Sequence, residues 1–99
     1  MEPWINAGLD EMDYELLANL EEITGKKHPN PFTCEGFIFI LNEIEKRDWT
    51  WTLAKMHDNN IMTIYYDGQE VYLINSCLYR TVFLCYLDVL TDLKNRQLL

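Results

Sequence analysis

Residues 61–74, IMTIYYDGQEVYLI, decide the fold. Two runs of β-branched and aromatic residues flank Asp67-Gly68, the pair favoured in a two-residue type I′ hairpin turn. Such a turn sets the register, with Tyr66 facing Gln69, Ile64 facing Val71 and Met62 facing Leu73. Side chains alternate between the faces of a strand, so Met62, Ile64, Val71 and Leu73 share one side. The other carries Ile61, Thr63, Tyr65, Glu70, Tyr72 and Ile74, with Glu70 its only charge. An antiparallel hairpin over a single core normally turns a polar side to water. This one does not, so its second face is either covered by more of the chain or used to bind something.

Upstream, WTWTLAK (49–55) alternates Trp49, Trp51 and Leu53 with Thr50, Thr52 and Ala54, which predicts a strand. HDNN (57–60) is a turn, and residues 49–74 therefore form a three-stranded antiparallel meander. Downstream, Asn75 or Ser76 is expected to cap a helix through LYRTVFLCYLDVLTDLK. Leu78, Val82, Cys85, Val89 and Leu93 make its apolar stripe, widened by Phe83, Tyr86 and Leu90, as in a helix buried on much of its circumference. Before the meander, Thr33 caps a helix in TCEGFIFILNEIEKRD, with Phe37, Ile40, Leu41 and Ile44 on one side.

The first helix is predicted from Glu11 to Thr24. Asp10 is a suitable N-cap, with Leu9 and Tyr14 at the positions of a hydrophobic staple. Gly25 suits the position just past the end, and Lys26 and Lys27 follow at the negative pole of the helix dipole. Met12, Leu16, Leu20 and Ile23 form its apolar stripe, with Glu11, Glu15 and Glu22 pointing away. HPNPF, inside a connector over 26–32, joins it to the second helix.

The order α-α-β-β-β-α is an α+β arrangement in one domain spanning 1–99, with 1–8 and 95–99 as loose ends. The second and third helices enter and leave the sheet directly and are expected on one face. Helix 1, on its proline-containing connector, is expected to cross to the other, giving helices on both faces in an α/β/α sandwich. The alternative is a two-layer protein that forms a homodimer through its sheet.

Net charge is −8, and its placement matters more than its size. Residues 1–25 carry seven acids and no base, whereas the rest of the chain has nine acids against eight bases. Such a chain is a poor direct ligand for nucleic acid or anionic membrane, which are bound through bases. It suits a partner with a basic surface. LYRTVFLCYLDVL is interrupted by Arg80 and Asp88 and falls short of a membrane span. No basic, apolar leader opens the sequence, and a cytoplasmic location, in the cytosol of a host cell, is expected.

Candidate chemistry is sparse. Cys34, Cys77 and Cys85 have no paired spacing, and Cys77 and Cys85 on one helix would stand ~12 Å apart along its axis, too far for a disulfide. They are expected to be small buried hydrophobes. A Cys34–His28 nucleophilic pair lacks an orienting group and an oxyanion hole, and a zinc site lacks ligand-pair spacing. Gly8, Gly25, Gly36 and Gly68 are isolated and form no phosphate-binding loop, while Glu43 and Glu45 diverge on a helix. No catalytic residue, metal or cofactor is expected.

TCEGFIFILNEIEKRDWTWTL followed by IMTIYYDGQEVYLINSCLYRTVFLCYL resembles the small phage-encoded ABA-sandwich domain family. The resemblance covers about residues 33–90 and rests on Trp49 leading its strand, Ser76 at the cap and Cys85-Tyr86-Leu87 in the last helix. It implies a phage or prophage origin and an α/β/α fold, and no catalytic residues. Small acidic phage proteins often disable host machinery, CRISPR and other defence systems among it.

Two surfaces are therefore expected to bind. Glu11, Asp13, Glu15 and Glu22 form an acidic helix face whose spacing imitates a nucleic-acid backbone, suited to a basic, nucleic-acid-binding host protein. Tyr65 and Tyr72, with Trp4 and Tyr79, supply more large rings than a small core needs, and aromatic residues are enriched at interface hot spots. The expected function is a non-enzymatic inhibitor acting through the acidic helix. Alternatives are an oligomeric sponge for a nucleotide signal, using Arg80 with Lys55 or Lys46, and a virion assembly accessory binding through the aromatic sheet face.

Overall fold

A computed structural model describes residues 11–99, Glu11 by its backbone alone. It runs α1 (Glu11–Thr24), α2 (Cys34–Lys46), β1 (Thr50–Met56), β2 (Asn59–Tyr66), β3 (Gln69–Asn75) and α3 (Leu78–Asn95). The α+β class and the order α-α-β-β-β-α are as the sequence predicts. The expected N-cap Asp10, the staple residue Leu9 and Trp4 lie outside the described residues.

The sheet has the order β1-β2-β3, antiparallel throughout. Tyr66 pairs with Gln69, Ile64 with Val71 and Met62 with Leu73. Asp67 at φ 50° and Gly68 at φ 74° both take the left-handed backbone that a type I′ turn demands. The first turn is tighter than HDNN suggests: His57 and Asp58 make it, and Asn59 and Asn60 already belong to β2.

The helix ends follow local chemistry. Thr33 Oγ1 accepts the Gly36 N–H at 3.1 Å and starts α2. Gly36 is required by packing, because a Cβ there would overlap the Asn30 carbonyl of the connector. At the start of α3 the cap differs from expectation. Cys77 holds the N-cap position with no side-chain bond of its own. Asn75 Oδ1 accepts the Cys77 N–H at 2.9 Å, and Thr81 Oγ1 donates to Cys77 O at 2.7 Å.

α3 is the axis of the core. Val82, Phe83, Cys85, Tyr86, Leu87, Val89, Leu90 and Leu93 are all buried, while Leu78, expected in the stripe, is exposed. Toward the sheet, Cys85 Sγ lies 3.7 Å from both Met62 O and Val71 O. Toward α2, Tyr79 meets Phe37 with ring centroids 5.3 Å apart. Toward the connector, Phe83 meets Phe32 edge-on at 6.3 Å.

One placement is corrected. α1 does not cross to the second face of the sheet; it lies against α3, and the helices that touch strands are α2 and α3. Asp13 is the reason. It is 1% exposed and pairs bidentately with Arg80 of α3, at 2.5 and 2.9 Å. Arg80 in turn covers the Phe32 ring at 4.8 Å. With Asp13 inward, Leu17 and Leu20 become the buried positions, and Met12, expected inside, stands 67% exposed. The connector is packed as well, with His28 and Pro31 buried, so it carries no slack for a crossing. Among the described residues the second face of the sheet has no helix on it.

Candidate functional site

The uncovered face is a small lattice set by the register. Its rows are Thr50–Tyr65–Glu70, Thr52–Thr63–Tyr72 and Ala54–Ile61–Ile74. Tyr72 is 66% exposed, Ile74 52% and Tyr65 41%. Tyr65 and Tyr72 are diagonal neighbours, with backbones about 7–8 Å apart in such a ladder. Glu70 is the only charged residue among these nine. A solvated sheet face usually carries Lys and Glu, which also discourage unwanted association; this one presents hydroxyls, rings and aliphatic carbons.

At one end of this face, the α2–β1 loop and the β2–β3 turn enclose an open cleft of about 670 Å³. Arg47, Asp48, Trp49, Tyr65, Asp67 and Glu70 line it. The Arg47 guanidinium lies over the Trp49 ring, 5.2 Å from its centroid. Trp49 is backed by Tyr66 at 5.7 Å, and Tyr66 Oη donates to Asp92 at 2.7 Å. Burial, with the Asp92 carboxylate adding to it, pushes the Tyr66 hydroxyl up to about 12, so it stays a donor. Sequence reasoning missed this cleft. The signal was available in the register: Thr50 opposite Tyr65 puts residues 48–49 beside the Asp67-Gly68 turn.

The acidic helix is less uniform than its sequence. Of the acids singled out there, Asp13 points inward to Arg80, and Glu15 and Glu22 are exposed. The side chain of Glu11 lies outside the described residues. Glu21 is turned to the connector, where it accepts the His28 N–H at 2.8 Å and stands 3.8 Å from Lys27. Glu15 and Glu22, two turns apart, are about 10 Å apart along the axis. Just beyond Glu22, Lys26 and Lys27 bring positive charge to the same end.

His28, Glu43 and Cys85 are titratable groups taken into the packing. His28 is buried, its Nε2 3.1 Å from Thr24 Oγ1 and its ring edge-on to Phe39 at 5.0 Å. Burial lowers its pKa, against the opposing pull of Glu21 and Glu43. Burial alone would raise the Glu43 carboxyl, but Lys26 and Lys46 beside it hold it below its usual value. Of the cysteines, Cys85 is buried, and burial reinforced by Asp88 pushes its thiol up to about 12. Cys34 and Cys77 are exposed, contrary to expectation, because each sits at a helix start. No bond joins Cys34 to His28, and no three His, Cys, Asp or Glu converge to hold a metal ion, among the described residues. Of the bases a nucleotide sponge would use, Arg80 is held by Asp13 and Lys46 by Glu43. Among the described residues no helix is long and apolar enough to cross a membrane.

Comparison with protein-family models, with curated proteins and with solved structures finds no match in any of the three.

Proposed function

We propose that this chain is a non-catalytic binding protein that docks a basic partner protein on the open face of its sheet, with Tyr65 and Tyr72 as anchors. The observation that carries this reading is a nearly charge-free patch of two exposed tyrosines and an exposed isoleucine on a sheet whose other face packs Met62, Ile64 and Tyr66 into the core. Patches of that kind mark interaction sites, and rigid aromatic anchors supply much of their energy. Basic chemistry for the partner is supported by the carboxylates at the rim of the patch and by the net charge of −8. The resemblance to the phage-encoded ABA-sandwich family supports a host protein as that partner, anti-phage defence components included, and inhibition as the outcome.

Glu15 and Glu22 take a secondary part in this reading. Two exposed carboxylates on a helix steer a basic partner but are screened by salt. The test is capture of host proteins on three versions of the chain: wild type, Tyr65→Ser/Tyr72→Ser and Glu15→Lys/Glu22→Lys. The tyrosine pair is expected to lose a partner that wild type retains in high salt, and the charge-reversed pair to keep it. Retention by a folded tyrosine variant, with loss by the charge-reversed one, would return the role to the acidic helix.

A further inference from the structure

The cleft at the turn end of the sheet is continuous with the open face, since Tyr65 and Glu70 belong to both. Its chemistry is distinct. Asp48, Asp67 and Glu70 line it from three different backbone segments, and none has an ion pair or side-chain hydrogen bond among the described residues. Asp48 at φ 59° and Asp67 at φ 50° sit in tight left-handed turns, so two of the three are displayed from rigid backbone. Three carboxylates against the single cation Arg47 leave the lining negative.

These acids do not form a group that could hold a metal ion; spread along a cleft that also presents the Trp49 ring, they are complementary in charge to an organic cation. The aromatic wall says which. Arg47 already lays a guanidinium on Trp49; the wall accepts a planar cation stacked on it. Arginine alone among side chains stacks in this way and donates to two carboxylates at once. Beneath the loop, the Tyr86 hydroxyl is fully buried, and the Arg47 guanidinium is the cation acting on it.

We propose that this cleft is an anchor pocket for an arginine side chain of the partner docked on the open sheet face, with Arg47 as the resident placeholder that the incoming arginine displaces. The proposal rests on the docking reading above and names the partner residue that gives it specificity. A cleft of about 670 Å³ is of the size that holds small ligands, ample for one side chain.

The test is an NMR titration of the whole chain with N-acetyl-arginine methylamide, with N-acetyl-citrulline methylamide as the neutral isostere. The Trp49 indole and Gly68 amide signals are expected to shift saturably with the arginine compound in the millimolar range. The citrulline compound, and the Asp67→Asn/Glu70→Gln variant, are expected to bind at least about tenfold more weakly, a difference of about 1.4 kcal/mol. Arg47→Met is expected to tighten binding by freeing the Trp49 face. Equal shifts with citrulline, no saturation with arginine, or weaker binding by Arg47→Met would each overturn the proposal. Tyr72→Ser separates the two readings, because Tyr72 is outside the cleft: it is expected to abolish docking while leaving the arginine titration unchanged. A Tyr72→Ser chain that still docks its partner defeats the docking reading even if the pocket binds arginine.

Discussion

Ile64 and Ile74 stand on the same hairpin and face opposite ways. Ile64 is sealed between the sheet and α3, while Ile74 is half open to water. Their strands, composition and β propensity are alike, so local sequence does not distinguish them. What separates the two faces is where the helices go, and that is decided by α3. Its stripe is wide enough to take the sheet on one side and α1 on another, with α2 beside it. α1 satisfies its apolar side against a helix, and among the described residues no helix covers the second sheet face.

The largest effects are expected on the packed face. Ile64→Ala removes fully buried carbon and should cost about 4 kcal/mol, read as a fall in the urea midpoint with little change in slope. Asp13→Ala should cost about 3 kcal/mol, because it leaves the Arg80 charge half-buried without its carboxylate. Hydrogen exchange should speed up in α1 before the sheet, since that pair ties α1 to α3.

A smaller effect comes from His28. Its pKa lies below the ordinary 6.5 because burial disfavours the cation. Above pH 6.5 the ring is neutral in both folded and unfolded chains, and the stability it supports is fully present. As pH falls below 6.5 the unfolded chain takes up a proton that the folded chain refuses, so stability declines until the folded pKa is passed. Wild type should therefore lose more of its urea midpoint between pH 7.5 and 5.5 than His28→Gln does. The smallest effect is the matched partner of the first: Ile74→Ala should change stability by less than about 0.5 kcal/mol. A loss comparable to that of Ile64→Ala would mean the second face is packed after all.

Much of this architecture was legible in the sequence. The hairpin register follows from Asp67-Gly68 and strict alternation, which are local. The Glu11–Thr24 and Thr33-capped helices follow from periodicity and capping for the same reason. The facing of α1 was not legible, because periodicity assigns acids outward and Asp13 is drawn in by an arginine 67 residues away. That one pairing rotates the helix, exposes Met12 and empties the acidic face of a carboxylate. The cleft was hidden for a related reason: it joins two loops that only the strand register brings together. Tyr65 and Tyr72 were legible as surface candidates because a two-sided apolar hairpin always leaves the question of its second face.

The most direct test is a solvent paramagnetic relaxation measurement on isoleucine methyl groups of the free chain. Strong broadening is expected at Ile74 and protection at Ile64, with an intermediate response at Ile61. Equal protection of Ile74 and Ile64 would contradict this expectation, since the face assigned to binding would then already be covered.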